Sequence, residues 1–186
     1  MFTMVTVKGQ KNVSIIRFSA PLSKIGSWTI LRLPKIASLK LPSRGMTMVE
    51  GTINGFPFQT PLEPDGRGSH WFRVDKIMPN IAVGDTVRFE IRPIRKWPEP
   101  KIPKDLNSIL RASHEAYALW KDITPMARWD WIRWIGSTEQ MQTRRKRIEV
   151  ACSKLKKGTR RPCCFNRTMC TEPYVSKSGV LHKPSQ

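Results

Sequence analysis

Acidic residues are scarce in this chain: 14 Asp and Glu stand against 33 Lys and Arg in 186 residues, for a net charge of +19. That imbalance would attract polyanionic partners, whether nucleic acid, anionic lipid or acidic protein; the plainer reading is a soluble protein whose last helix has a charged outer face. Histidine is nearly as thin, with only His70, His114 and His182. No nucleophile motif surrounds any of the three. The chain has no glycine-rich phosphate loop, no HExxH and no GxSxG, so the common phosphate, zinc-peptidase and serine-hydrolase signatures are missing. Asp65 and Asp85 sit at turns, where carboxylates bond local backbone. Without an acid/base pair, a non-enzymatic protein needing no cofactor is expected. No run of eighteen apolar residues occurs, which excludes a membrane-spanning helix. The opening MFTMVTVKGQKN lacks a basic segment followed by an apolar one. No secretory signal is therefore read, and a cytoplasmic location with reduced thiols is expected.

What is present is organised in two halves. Residues 1–96 read as β structure. VSIIRF from Val13, WTILRL from Trp28, SHWFRV from Ser69 and TVRFEIRPI from Thr86 are short apolar or alternating runs bounded by Gly, Pro and Asp. Between them, Asn54-Gly55 is the dipeptide of a two-residue type I′ hairpin, because both positions need φ > 0. Folding about it pairs Ile53 with Phe56, Gly51 with Phe58 and Val49 with Thr60, and places Val49, Ile53, Phe56 and Phe58 on the core side. Gly51 opposite Phe58 leaves room for the ring or lets another backbone approach. Lys35 to Leu41 reads as a helical turn. Six short strands at this spacing predict a small antiparallel β-barrel.

Residues 97–104 hold the proline-rich WPEPKIP run, a stiff linker. From 105 to 158 the period becomes helical, giving three helices. The first opens at Asp105 and carries Leu106, Ile109, Leu110, Ser113, Tyr117 and Trp120 on one stripe. The second opens at Thr124-Pro125, cap and first residue, and runs to Gly136. Ser137 or Thr138 caps the third, which ends near Gly158 with Met141, Ile148, Cys152 and Leu155 on one face. Trp129, Trp131 and Trp134 span so wide an arc of the second helix that they read as its packing seam, not as a base-stacking platform. Residues 159–186 form a basic, cysteine-containing tail.

Charge is concentrated near the end: Arg144 to Arg167 carries ten Lys/Arg against one acid, Glu149. Arg144, Arg145, Arg147, Lys154, Lys156, Lys157, Arg160 and Arg161 are the candidate polyanion-binding residues, for nucleic acid or an acidic protein surface. Cys163, Cys164 and Cys170 are candidates for a metal or redox-thiol site, with Cys152 or His182 as a fourth zinc ligand. Against zinc, the usual Cys-x2-Cys knuckle is absent, and Cys152 fits an apolar helix face as an ordinary buried thiol.

The segment VEGTINGFPFQTPLEPDGRGSHWFRVDK with VGDTVRFEI resembles a small β-barrel domain of unknown function. The segment from Asp105 to Leu155 resembles the YdeI/OmpD-associated, or bacteriocin-protection, helical domain, through Trp134-Ile135 and the run Thr143-Arg144-Arg145-Lys146-Arg147-Ile148. It departs from that pattern at Ser137-Thr138-Glu139-Gln140. The resemblance implies an α+β fold, a split-barrel-like domain followed by a small helical bundle. It implies a stress or antimicrobial protection role without a defined reaction.

Overall fold

The structure, a computed structural model, describes residues 14–162, 173–176 and 178–184. The chain divides into two compact units, one built mainly on residues up to Arg95 and one from Lys96 to His182.

The first unit is organised around the Asn54-Gly55 turn. Both residues have positive φ, 48° and 89°. The turn joins β4 (Thr47–Ile53) to β5 (Phe56–Pro64) in the expected register, with Ile53 opposite Phe56 and Gly51 opposite Phe58. On the core face Val49 and Ile53 are fully buried and Phe58 nearly so, but Phe56 is 61% exposed. This corrects its placement in the core. Alternation assigns Phe56 to the right face, but its partner Ile53 pairs with Phe89 on its other side, whereas β5 meets its own next neighbour only at Glu63 and Pro64, so no strand flanks Phe56 there. On the other side of β4 lies β7 (Thr86–Pro93), which pairs in turn with β1 (Ile16–Pro21). Val87, Phe89 and Ile91 are buried while Arg88 and Arg92 are exposed, so β7 has one wet face, as its alternation predicts.

From β5 the sheet continues through β6 (His70–Arg73), β3 (Trp28–Arg32) and β2 (Ser23–Ile25), in the order β1-β7-β4-β5-β6-β3-β2. The two edge strands of that order, β1 and β2, are separated in sequence by Leu22 alone, so the sheet is curled until its edges meet there. Seven strands rather than six make up this half-barrel. The additional one, β2, is three residues long and turns back onto β3 through Gly26, whose φ is 55°.

Gly51 is where β4 and β7 come closest to excluding a side chain. A Cβ there would lie 1.9 Å from the Glu90 carbonyl oxygen of β7. Of the two reasons for a glycine at this position, the close approach of another backbone is the one realised. The core is aromatic: Phe58 stacks on Phe72 at 5.6 Å, Phe72 meets Phe89 edge-on at 6.2 Å, and Phe18 covers Phe89 at 5.2 Å. A short helix, α1 (Lys35–Leu39), bridges β3 and β4.

The second unit holds α2 (Lys104–Arg111), α3 (His114–Asp122), α4 (Pro125–Gly136) and α5 (Met141–Lys156). The first expected helix is thus two. Ser113 leaves the helix (φ −131°, ψ 111°) and its side chain accepts from the Ala116 N–H as the N-cap of α3. The apolar stripe hides the break because Leu110 and Tyr117 keep helical spacing across it. Asp105 lies in the first turn of α2 rather than at its cap, where Pro103 stands. Thr124 caps α4 as expected, accepting from the Ala127 N–H at 3.3 Å with Pro125 behind it. Neither Ser137 nor Thr138 caps α5. Ser137 instead ends α4, and Gln140 precedes α5 without a side-chain cap bond. Gly158, with φ 83°, follows the end of α5. Leu106, Leu110, Trp120, Ala127, Trp131, Ile135, Ile148, Ala151 and Leu155 form the core. Trp131 is fully buried and meets Trp134 edge-on at 5.9 Å. Trp129 does something else: its Nε1–H donates to the Pro98 carbonyl at 2.8 Å and pins the proline-rich segment onto α4.

Candidate contact surface and the buried polar network

Helix α5 turns Ile148, Ala151, Cys152 and Leu155 into the core. At 100° per residue, that leaves Lys146, Glu149, Ser153 and Lys157 on the outer face with Arg145 and Lys156 along its flank, and all six are exposed.

The candidate cations then separate by what they touch. Arg144 donates from Nε and Nη2 to Asp105 at 2.7 and 3.0 Å, a two-point bridge that ties α5 to α2. That contact, with smaller help from the backbone, holds the Asp105 carboxyl below its usual range. Arg147 donates to the Trp134 carbonyl at 2.7 Å and to Ser137 Oγ at 2.6 Å, with its guanidinium 5.5 Å from the Trp134 ring centroid. It closes the C-terminus of α4, where a cation complements the helix dipole, and partial burial pulls its pKa down. Arg160 reaches Asp122 Oδ2 at 2.6 Å and the Asp122 carbonyl at 3.0 Å. Arg161 lies 3.6 Å from Asp130. Arg144 and Arg147 thus join helix to helix, whereas Arg160 and Arg161 remain exposed beside their carboxylates. Arg145, Lys146, Lys154 and Lys157 have no ion-pair partner among the described residues, and Lys156 acts on Glu115 through space. Lys146, which the basic run alone does not single out, is exposed like Arg145.

Cys163, Cys164 and Cys170 lie outside the described residues. Cys152 is a buried free thiol in the helical core. Among the described residues no group of three or more His, Cys, Asp or Glu could hold a metal ion. His182 donates its backbone N–H to Tyr174, beside an isolated bridge between Val175 and Leu181.

One arrangement was not visible in the sequence. His70 is fully buried on β6; its Nε2 lies 2.9 Å from the Gly45 carbonyl and its Nδ1 2.8 Å from Ser38 Oγ. The carbonyl only accepts, so Nε2 carries the proton and the Ser38 hydroxyl donates to Nδ1. Ser38 is also fully buried. Arg44 donates to Ser38 Oγ at 3.2 Å, to the Ser38 carbonyl, and to the Leu41 carbonyl at 3.3 Å. Asp65, which accepts from the Arg67 and Ser69 N–H groups, faces Arg32 at 3.6 Å. The hydroxyl–imidazole pair has the elements of a nucleophile and its base, and both residues are fully buried. It fastens α1 and the following loop to the sheet.

Burial pushes the His70 pKa below its ordinary value, and the neighbouring Arg44 charge adds to this, while the Gly45 bond and Asp65 oppose it. The unfolded chain therefore binds the proton more readily than the folded one. The stability this supplies is complete above the unfolded pKa of about 6.5 and is lost as pH falls from there toward the folded value, at about 1.4 kcal/mol per unit of depression. Thermal unfolding followed between neutral and mildly acidic pH should show this loss for the native chain. His70→Gln, which cannot titrate, should flatten the slope in that interval even though it lowers stability overall.

Neither of two depressions among the described residues converges polar groups on a ligand. The groove of about 570 Å³ over the outer face of β4, β5 and β7 is edged by Glu50, Gln59, Glu90 and Arg92. These satisfy one another or a neighbour: Arg92 to Glu50 at 2.6 Å, Gln59 to Glu50 at 2.9 Å, and Arg17 to Glu90 at 3.2 Å. The Gln59 and Arg92 bonds hold Glu50 below the usual carboxylate range. The crevice of about 290 Å³ beside Tyr117 and Trp120 is occupied at its floor by Arg128. The guanidinium of Arg128 is already engaged with backbone carbonyls and Glu99.

Residues 14–91 match the family model of a domain of unknown function, DUF1905, which covers all seven strands except the last residues of β7. Residues 99–158 match that of the bacteriocin-protection, YdeI or OmpD-associated family, which covers the four helices. No curated protein matches the chain. With both expected segments matched in the expected order, the chain is a tandem of a DUF1905 domain and a bacteriocin-protection, YdeI or OmpD-associated domain.

Proposed function

We propose that the protein acts by binding rather than by catalysis, in a protective role of the kind for which its helical domain's family is named, and that the outer face of α5 contacts an acidic protein surface. The observation that carries this is the pattern of charge on that face. Arg145 and Lys146 lie at one end and Lys156 and Lys157 at the other, eleven residues on, or about 16 Å along the helix. Glu149 lies between them. A face with cations at both ends and an acid in the middle complements a surface of patterned charge. It suits a uniform polyphosphate less well, since Glu149 repels the phosphates that reach the centre.

Glu149→Lys separates the two partners. It should weaken binding to a patterned acidic protein and strengthen binding to nucleic acid. The native chain is expected to pass through a nucleic-acid column at ~100 mM salt. A crosslinker at Ser153 is expected to capture a protein that Arg145→Glu/Lys157→Glu no longer captures. Retention on nucleic acid that falls steeply with salt and rises with Glu149→Lys would replace this reading by a nucleic-acid one. Arg144 and Arg147 are unsuitable for such a test, because reversing them breaks the Asp105 bridge and the α4 terminus.

A further inference from the structure

A second surface, on the barrel unit, is built with care and has no role in the reading above. Helix α1 is only five residues long, and it is held from below. Ala37 and Ser38 are buried. Ser38 is fixed through its hydroxyl by His70, and Arg44 donates to the carbonyls of Ser38 and Leu41 just at and beyond the end of the helix. Pro34 stands before the helix and Pro42 shortly after it. What this rigid support presents outward is apolar: Ile36 is 75% exposed and Leu39 68% exposed, more than any other Ile or Leu of the described residues. Lys35 and Lys40 flank them, both exposed and with no ion-pair partner among the described residues.

We propose that α1 is a contact surface for an anionic lipid bilayer, with Ile36 and Leu39 entering the headgroup layer and Lys35 and Lys40 meeting the lipid charges. Size decides against a protein partner. Two aliphatic side chains fall far short of the ~800 Å² that each partner of a stable protein interface contributes. A lipid surface requires no such area or matching shape. It gains from apolar side chains at the headgroup boundary and from nearby cations, and the chain's net charge of +19 draws it to an anionic surface from a distance. The fixing of α1 by Ser38, His70 and Arg44 removes the ordering cost that a flexible loop would carry on contact.

The test is co-sedimentation of the full chain with phosphatidylcholine vesicles, with and without phosphatidylglycerol, at ~150 mM salt, where long-range attraction is screened. The native chain should bind the anionic vesicles. Ile36→Ser/Leu39→Ser should weaken that binding by at least about tenfold while leaving thermal unfolding essentially unchanged, since both side chains are solvent-facing. Lys35→Glu/Lys40→Glu should weaken it on anionic vesicles as well. Equal binding by the native chain and the Ile36→Ser/Leu39→Ser variant would mean that charge alone attracts the protein, and would overturn the proposal. Failure of the native chain to bind anionic vesicles would overturn it too. So would capture, through Ile36 and Leu39, of an acidic protein without vesicle binding.

Discussion

Gly51→Ala should cost the barrel unit at least about 3 kcal/mol, the upper end of what overpacking does. The methyl group has nowhere to go. Its nearest neighbours are backbone atoms of β7, the Glu90 oxygen at 1.9 Å and the Ile91 Cα at 2.8 Å, which cannot rotate aside as a side chain can. Relief requires β4 and β7 to separate where Gly51 pairs with Ile91. Ile91 also pairs with Ile16 of β1, so the disturbance crosses three strands. Urea unfolding followed by near-ultraviolet circular dichroism measures the effect. Thr52→Ala, one residue along and turned the other way, is the control and should stay within about 0.5 kcal/mol of the native chain. Equal effects at the two positions would mean that the close approach of β4 and β7 is not what glycine is there for.

Arg128→Ala should be nearly as damaging to the helical unit, at about 3 kcal/mol. The side chain is only 15% exposed and pairs with Glu99. Its Nε donates to the Trp120 carbonyl at 2.9 Å, and its Nη2 to those of Lys121 and Ile123 at 3.0 and 2.7 Å. Removing it strands the carbonyls that end α3 and releases Glu99, which lies in the proline-rich segment. Arg128→Lys should recover little, because one ammonium cannot span three carbonyls and a carboxylate in the guanidinium's planar geometry. The expected results are a lower melting temperature and faster tryptic cleavage at Lys101 and Lys104. Full recovery by lysine would show that charge alone, not the fork of donors, holds this corner.

The sequence carried the fold at the points where one residue type has one use. Asn54-Gly55 set a turn, and the turn set the register of β4 against β5 residue by residue. Thr124-Pro125 and Gly158 marked helix ends for equally local reasons. Legibility failed where the deciding contact was distant or the local signal ambiguous. Nothing near Phe56 says that β6 joins β5 only at its far end. Nothing in the stripe from Leu106 to Trp120 says that Ser113 turns from a helix position into a cap. The candidate surface shows the same division. A basic run is plain to read, but which of its arginines find a partner within the fold depends on Asp105, Trp134, Asp122 and Asp130, ten to forty residues upstream. The Ser38–His70 contact, 32 residues apart, is likewise a product of folding.

The meeting of β1 and β2 at Leu22 has a consequence for the order of assembly. β1 leaves the ribosome first among the strands, yet its partner β7 follows some seventy residues later. The β4–β5 hairpin, by contrast, pairs across two residues and closes at little entropic cost. The barrel unit is therefore expected to grow outward from its central hairpin, with β1 waiting unpaired until β7 has been made, and its slowest step is the closure of that longest loop. In the second unit α2 packs on α3 and α4 on α5, while α5 also reaches back over α4 to α3 and α2.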